Sequence, residues 1–240
     1  MFPFNAILNR VREAVPPTIG LGNWNVTPDY AAYEAVPDPQ RVLIALHGFA
    51  MPAVVFVHEI VRNQSPALQA GRYAILAPEA KTDPATGLFP YWEAAPLNQR
   101  LLDAVTEART RWPNAQKRFL AGHSFGGRGV VFEGMGPQAN SFNGFGILAP
   151  FMASPADFPR MATTLANSGQ PYFLAFDSDD FVAHFSPAEA AQLTALHLPP
   201  NRIIDHRPAT PLGVYLRPNA HNEIINSAAG PLLNFFTQIP

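Results

Sequence analysis

At 240 residues, with 48% hydrophobic and 14% charged residues, the chain can bury one sizeable core and does not have the composition of a disordered protein. Its 16 Lys and Arg against 18 Asp and Glu leave a net charge of −2, which excludes the strongly basic field that nucleic acid or an acidic membrane surface rewards. Cysteine is absent, and with it go disulfides, thiolate nucleophiles and cysteine-held zinc.

The N-terminal sequence Met1-Phe-Pro-Phe-Asn5 lacks the basic start and apolar stretch of a signal peptide. No apolar run reaches the roughly 18 residues of a membrane span. A cytoplasmic protein is therefore expected, with secretion left open for a chain whose leader has been removed. Residues 4–15 have the spacing of a short amphipathic helix (Phe4, Ile7, Leu8, Val11, Val15), ended by Pro16 and Pro17. Residues 18–40 are punctuated by Gly, Pro and Asn and accommodate one or two edge strands, Tyr30 to Val36 among them. Arg41-Val-Leu-Ile-Ala-Leu46, running into His47-Gly48, is apolar throughout, as a central parallel strand covered on both faces would be.

The alternation then continues. Residues 54–63 are predicted helical, 73–77 a strand, 78–95 a long Pro/Gly/aromatic loop, and 96–112 a helix carrying Leu97, Leu101, Leu102, Val105 and Ala108 at helical spacing. A strand at 117–121 leads into a glycine-flanked serine and a helix opening at Gly127, followed by a strand at 145–149 and a connection over 150–171 that is too short for a large cap. A strand at 171–177, a helix at 187–197, a strand near 214–216 and a short helix from Pro231 complete the chain. Strand–helix alternation without an internal repeat or a composition break predicts a single α/β domain over 1–240 with a mostly parallel sheet and helices on both faces.

Gly122-His123-Ser124-Phe125-Gly126 has the pattern G-x-S-x-G at a predicted strand-to-helix turn. Such a turn lifts the serine hydroxyl clear of both elements, and Gly122 and Gly126 leave out the Cβ atoms that would collide there. Serine needs a base within hydrogen-bond reach, and the base needs an acid to hold its tautomer. On a parallel sheet both must come from loops at the carboxyl ends of the strands. Asp177, Asp179 and Asp180 follow directly on Tyr172-Phe-Leu-Ala-Phe176, and one of them is the candidate acid. His221, after the last predicted strand, is the candidate base, with His206 its main rival; the order Ser, Asp, His is that of a nucleophile-elbow hydrolase. The N–H of Phe125 supplies one oxyanion donor, and the loop His47-Gly48-Phe49-Ala50 is the natural source of a second. His47, Phe49, Met51, Trp92, Phe125, Phe151, Met152 and Phe181 fall on loops at the same edge, where they form a substrate-binding, largely apolar lining. An Asp at the elbow, as dehalogenase chemistry requires, is missing, and no His-x-x-x-His spacing marks a metal site. No cofactor is expected.

Together, Leu46-His47-Gly48-Phe49, Gly122-His123-Ser124-Phe125-Gly126-Gly127, the 177–180 loop and His221 resemble an α/β-hydrolase over about residues 40–235. Within that superfamily the chain is most similar to the small carboxylesterase and acyl-protein-thioesterase-like group. Ala77-Pro78-Glu79-Ala80 and Tyr91-Trp92-Glu93 match that group's proline-containing loop and Trp-acidic pair. The chain departs from the group in carrying Phe176 and Ala220 where a glycine is usual before the acid and the histidine motifs. The resemblance implies a serine esterase with Ser124 as nucleophile, His221 as general base, Asp179 as orienting acid, and the N–H groups of Phe49 and Phe125 as oxyanion hole. The apolar lining leads to the expectation of a short-to-medium acyl ester, small or polymeric, with an aromatic ester as the other candidate. A binding protein without catalysis, or an acyltransferase using the same triad, is the alternative.

Overall fold

A computed structural model describes residues 22–49, 51–80, 92–177, 180, 182–183, 185–205 and 220–240. The helix predicted over 4–15, the strand near 214–216, Asp179, Phe181 and His206 lie outside the described residues.

Among the described residues eight strands form one sheet: β1 (Asn23–Val26), β2 (Tyr30–Glu34), β3 (Arg41–Leu46), β4 (Tyr73–Pro78), β5 (Lys117–His123), β6 (Gly144–Leu148), β7 (Tyr172–Phe176) and β8 (Arg202–Asp205). Their spatial order is β1-β2-β4-β3-β5-β6-β7-β8. β1 and β2 are antiparallel to their neighbours, and every pairing from β4 through β8 is parallel. Among the described residues six α-helices surround the sheet: α1 (Ala53–Ala70), α2 (Leu97–Arg111), α3 (Phe125–Gly129, running into a π turn at Val130–Gly134), α4 (Asp157–Ala166), α5 (Pro187–Ala195) and α6 (Ala220–Gln238).

The apolar runs buried on both faces explain the layering. Along β3, Val42, Ile44 and Leu46 face a core shared with α2, α3, α4 and α5, while Leu43 and Ala45 face a second core shared with α1 and α6. This period of two on a strand with no polar interior position is what a sheet covered on both sides requires. β4 lies on one side of β3 and β5 on the other, so the strand order reverses between β3 and β5. The crevice at the carboxyl ends of the strands opens at such a reversal, and the loop after β3 meets the turn after β5 there.

Three predicted elements differ from the structure. α1 runs through Pro66 to Ala70 instead of stopping near Asn63, because Leu68 beyond the proline is fully buried and extends the apolar face. The 150–171 connection contains α4, whose Phe158, Met161, Ala162 and Leu165 bury one stripe at helical spacing. The last helix starts at Ala220 rather than Pro231; Ile224, Ile225, Ala228, Leu232 and Phe236 bury a continuous stripe across the Gly230-Pro231 pair that reads as a helix start. Packing of this stripe outweighs the poor helix propensity of its Asn, Gly and Pro residues. Among the described residues no helix is long and apolar enough to cross a membrane.

Candidate active site

Ser124 stands between β5 and α3 with φ 58° and ψ −118°, a conformation that a residue with a Cβ rarely adopts. The surroundings enforce it. The Ser124 N–H donates to the Leu148 carbonyl at 3.0 Å, and the Ser124 carbonyl accepts from the N–H groups of Arg128 at 3.0 Å and Phe151 at 3.1 Å. Two glycines make the turn sterically open. A Cβ on Gly122 would lie 2.3 Å from the backbone of Gly126, and one on Gly126 would lie 1.9 Å from the Leu46 carbonyl oxygen. Neither contact can be relieved by a side-chain rotation, because the obstacle is backbone in both cases.

His221 occupies the first turn of α6 rather than the loop predicted for it. Its Nδ1 lies 2.6 Å from Asp180 Oδ2, and both side chains are buried. An ionised carboxylate only accepts hydrogen bonds, so Nδ1 carries the proton and Nε2 is left as the proton-accepting atom. Asp180 Oδ1 accepts from the N–H groups of Val182 at 2.7 Å and Ala183 at 3.1 Å. Burial would raise the Asp180 pKa; the hydrogen bond from His221, its charge and the two N–H groups outweigh that and hold the carboxyl below its ordinary range. The resemblance implied Asp179 for this place. The carboxylate found there is Asp180, oriented by a turn in which its own N–H donates to Asp177 O at 3.0 Å. Asp177 is buried as well.

The loop after β3 packs directly on the serine. A Cβ on Gly48 would be 2.9 Å from Ser124 Cβ, so only glycine lets this loop approach so closely. Phe49 follows, 43% exposed, with its ring centroid 6.3 Å from that of Phe125; Phe125 in turn stacks on Phe151 at 4.5 Å. Met51 is half-buried against the α1/α6 core, and Met152 packs on the core of the opposite face.

His47 and Trp92, expected on the substrate-binding lining, brace the loop after β3 from within the fold. Trp92 is fully buried and His47 nearly so. The indole Nε1 donates to the His47 carbonyl at 3.2 Å, and the two rings meet edge to face at 5.6 Å. The Ala80 N–H donates to His47 Nε2 at 2.9 Å, which leaves Nδ1 protonated and donating to the Gly48 carbonyl at 2.9 Å. Burial lowers the His47 pKa, against the opposing pull of Glu79 and of the Gly48 carbonyl. Glu79 Oε2 accepts from the Ala53 N–H at 3.0 Å and so ties the start of α1 to the end of β4.

Two further residues beside the serine are not among the predicted site residues. Arg128, one turn beyond the serine, donates from Nε to Glu93 Oε1 and from Nη1 to Asp157 Oδ2, each at 2.5 Å. His123, the residue before the serine, lies in the α1/α6 core with Nε2 2.7 Å from the His221 carbonyl oxygen. Strand period alone would have directed His123 to that face, since Phe119 and Ala121 share it.

No protein-family model matches the chain, and no curated protein matches it in sequence. Solved structures do match. An S-formylglutathione hydrolase (FrmB) from Staphylococcus aureus shares 15% identity over 89% of this chain and 96% of its own, with a TM-score of 0.60. An S-formylglutathione hydrolase from Agrobacterium tumefaciens shares 12% identity over 91% of this chain and 94% of its own, with a TM-score of 0.58. A serine hydrolase without lid from Xanthomonas campestris shares 13% identity over 92% of this chain and 95% of its own, with a TM-score of 0.55. The sheet order, the serine turn after β5 and these likenesses over most of the chain lead to one conclusion: the protein has the α/β-hydrolase fold.

Proposed function

We propose that this protein is a serine hydrolase of carboxylic esters, with Ser124 as nucleophile, His221 as general base and Asp180 as the acid that orients it. The observation that carries the proposal is the buried His221–Asp180 pair at 2.6 Å, held at the same sheet edge as a serine in a strained turn. In this reading His221 Nε2 takes the hydroxyl proton as Ser124 Oγ attacks the ester carbonyl. Asp180 keeps the proton on Nδ1 and stabilises the imidazolium that forms. The tetrahedral oxyanion is received by the N–H groups of Phe49 and Phe125, the first on the loop packed over Ser124 and the second opening α3. His221 then returns its proton to the leaving alkoxide. Water, deprotonated by the same nitrogen, releases the acid from the acyl-enzyme.

The Phe125–Phe151 stack and the half-exposed Phe49 favour an acyl group with apolar character over a charged one. Hydrolysis of p-nitrophenyl esters from acetate to octanoate, by the wild type and by Ser124→Ala, tests the reading. Turnover that disappears in the variant is expected. Turnover that survives it, or none on any ester from the folded wild type, contradicts it and leaves a binding role as the alternative.

A further inference from the structure

His123 has no part in the chemistry just described, yet it is 1% exposed and touches the proposed base. Two contacts and one unpartnered nitrogen define it. Its Nε2 lies 2.7 Å from the His221 carbonyl oxygen, which has no proton to give, so the imidazole N–H must be on Nε2. Its ring centroid lies 4.6 Å from that of His221, with the planes at 47°. Its Nδ1 is buried without a hydrogen-bond partner among the described residues.

The neighbours account for both the donor and the bare nitrogen. On one side stands Gly48, where an added Cβ would lie 3.3 Å from His123 Nδ1. On another stands the Phe56 ring of α1, with centroids 6.4 Å apart. The remaining side is the start of α6, with His221 in contact and the Asp180 carboxylate beyond it. A second proton on His123 would sit on Nδ1, facing no acceptor and beside a ring that itself becomes a cation during turnover. Burial, followed by the closeness of His221, drives the His123 pKa down to about 3, against smaller opposing effects of the His221 carbonyl and Asp180.

We propose that His123 is a positioning residue for the proposed reaction: its Nε2–H pins the His221 carbonyl, and with it the base, to the end of the strand that carries the nucleophile. The inference rests on the catalytic reading of His221. It assigns His123 no proton transfer and no contact with substrate. A first-turn carbonyl of α6 gains a donor from outside the helix, so the ring attached to that residue is held from its backbone by His123 and from its Nδ1 by Asp180. The requirement for an uncharged donor also restricts what the position accepts: a lysine or arginine would donate but would place a cation against the imidazolium.

Two variants separate positioning from mere packing. His123→Phe keeps the ring volume and removes the donor, and His123→Gln keeps an N–H near the place of Nε2. With p-nitrophenyl acetate, His123→Phe is expected to lower kcat by about tenfold to a hundredfold with KM changed less than about twofold, and His123→Gln to recover most of kcat. Nitrogen-15 spectra of the wild-type imidazoles supply a readout independent of variant folding: His123 should stay a neutral Nε2–H tautomer between about pH 5 and pH 8. Titration of His123 within that range overturns the proposal. So does a folded His123→Phe enzyme with wild-type kcat, or a His123→Gln enzyme no better than the Phe variant. Ser124→Ala assayed alongside distinguishes the two levels: activity that persists there refutes the catalytic reading itself, whereas activity lost there but unchanged in His123→Phe refutes only the positioning role.

Discussion

Replacing Arg128 tests whether the elbow is held by charge as well as by steric fit. The guanidinium joins three segments: its own helix α3 immediately after Ser124, Glu93 beside the brace Trp92, and Asp157 at the start of α4. The three side chains are only 8%, 16% and 9% exposed, respectively, so the pairs are poorly screened. Arg128→Met keeps an apolar stem but removes the guanidinium, whose Cζ lies 4.8 Å from the Phe132 ring centroid, and leaves two carboxylates in a water-poor site. Removing one partner of a buried ion pair costs about 3–5 kcal/mol. Asp157 keeps the Ser154 N–H at 2.8 Å, which places the expected loss toward the lower end, about 3 kcal/mol. For a domain of 240 residues this corresponds to a fall in Tm of roughly 6–12 °C.

The pH dependence of that fall has a definite sign. Burial raises the Asp157 pKa, but the hydrogen bonds from Arg128 and Ser154 and the Arg128 charge more than offset it, so the net shift is downward. A carboxyl with a lowered pKa stabilises the fold above its unfolded value and loses that contribution as pH falls through its folded value. Without Arg128 the carboxyl rises and takes up a proton earlier, which relieves the unpaired charge. The Tm difference between wild type and Arg128→Met, measured by differential scanning fluorimetry, should therefore be largest near pH 8 and shrink toward pH 5. A difference below about 2 °C at pH 8, or one that widens toward pH 5, would refute the reasoning. Arg128→Lys should recover only part of the loss, since one ammonium does not span both carboxylates with the fixed fork of a guanidinium.

Further outcomes follow from the same geometry. Asp180→Asn should lower kcat on p-nitrophenyl acetate by about 10⁴-fold, because the amide no longer fixes the His221 tautomer, while Asp179→Asn should change it little; steady-state kinetics of the two decide between them. Gly126→Ala should give little soluble, folded protein, since its Cβ would meet the Leu46 carbonyl oxygen at 1.9 Å; soluble yield and circular dichroism measure this. The wild type should lose stability in mild acid. His123 has a folded pKa of about 3 against an ordinary 6.5, so between these values the unfolded chain binds a proton that the folded chain does not. That linkage removes about 2 kcal/mol between pH 6.5 and pH 5, readable in urea unfolding midpoints, and His123→Phe should flatten the slope.

Much of the fold was legible because its central strands are apolar without interruption: Arg41–Leu46 and Tyr172–Phe176 are not plausible as anything but buried strands. Ser124 was legible because its turn constrains the residues on either side of it. The start of α6 was not, since Gly230-Pro231 imitates a helix boundary and only packing against the sheet overrides it. β8, Arg202–Asp205, is short and half polar, as an edge strand is, and merges in sequence with the charged stretch that follows. Choosing among Asp177, Asp179 and Asp180 required three dimensions, because neighbouring residues in a loop point in unrelated directions. The Arg128 contacts were out of reach for a different reason. Its partners lie 35 residues before it and 29 after it, and no local periodicity links them.

Trapping the acyl-enzyme is the most direct test of the proposed chemistry. Wild-type protein mixed with p-nitrophenyl acetate, acid-quenched and mapped by peptide mass spectrometry should carry a single acetyl group on Ser124, formed as fast as the first turnover of p-nitrophenol. His221→Ala should form it slowly and Ser124→Ala not at all. An acetyl group on any other residue at that rate, or steady turnover with no acetylated Ser124 and no effect of either substitution, would contradict the assignment of Ser124 and His221 as nucleophile and base.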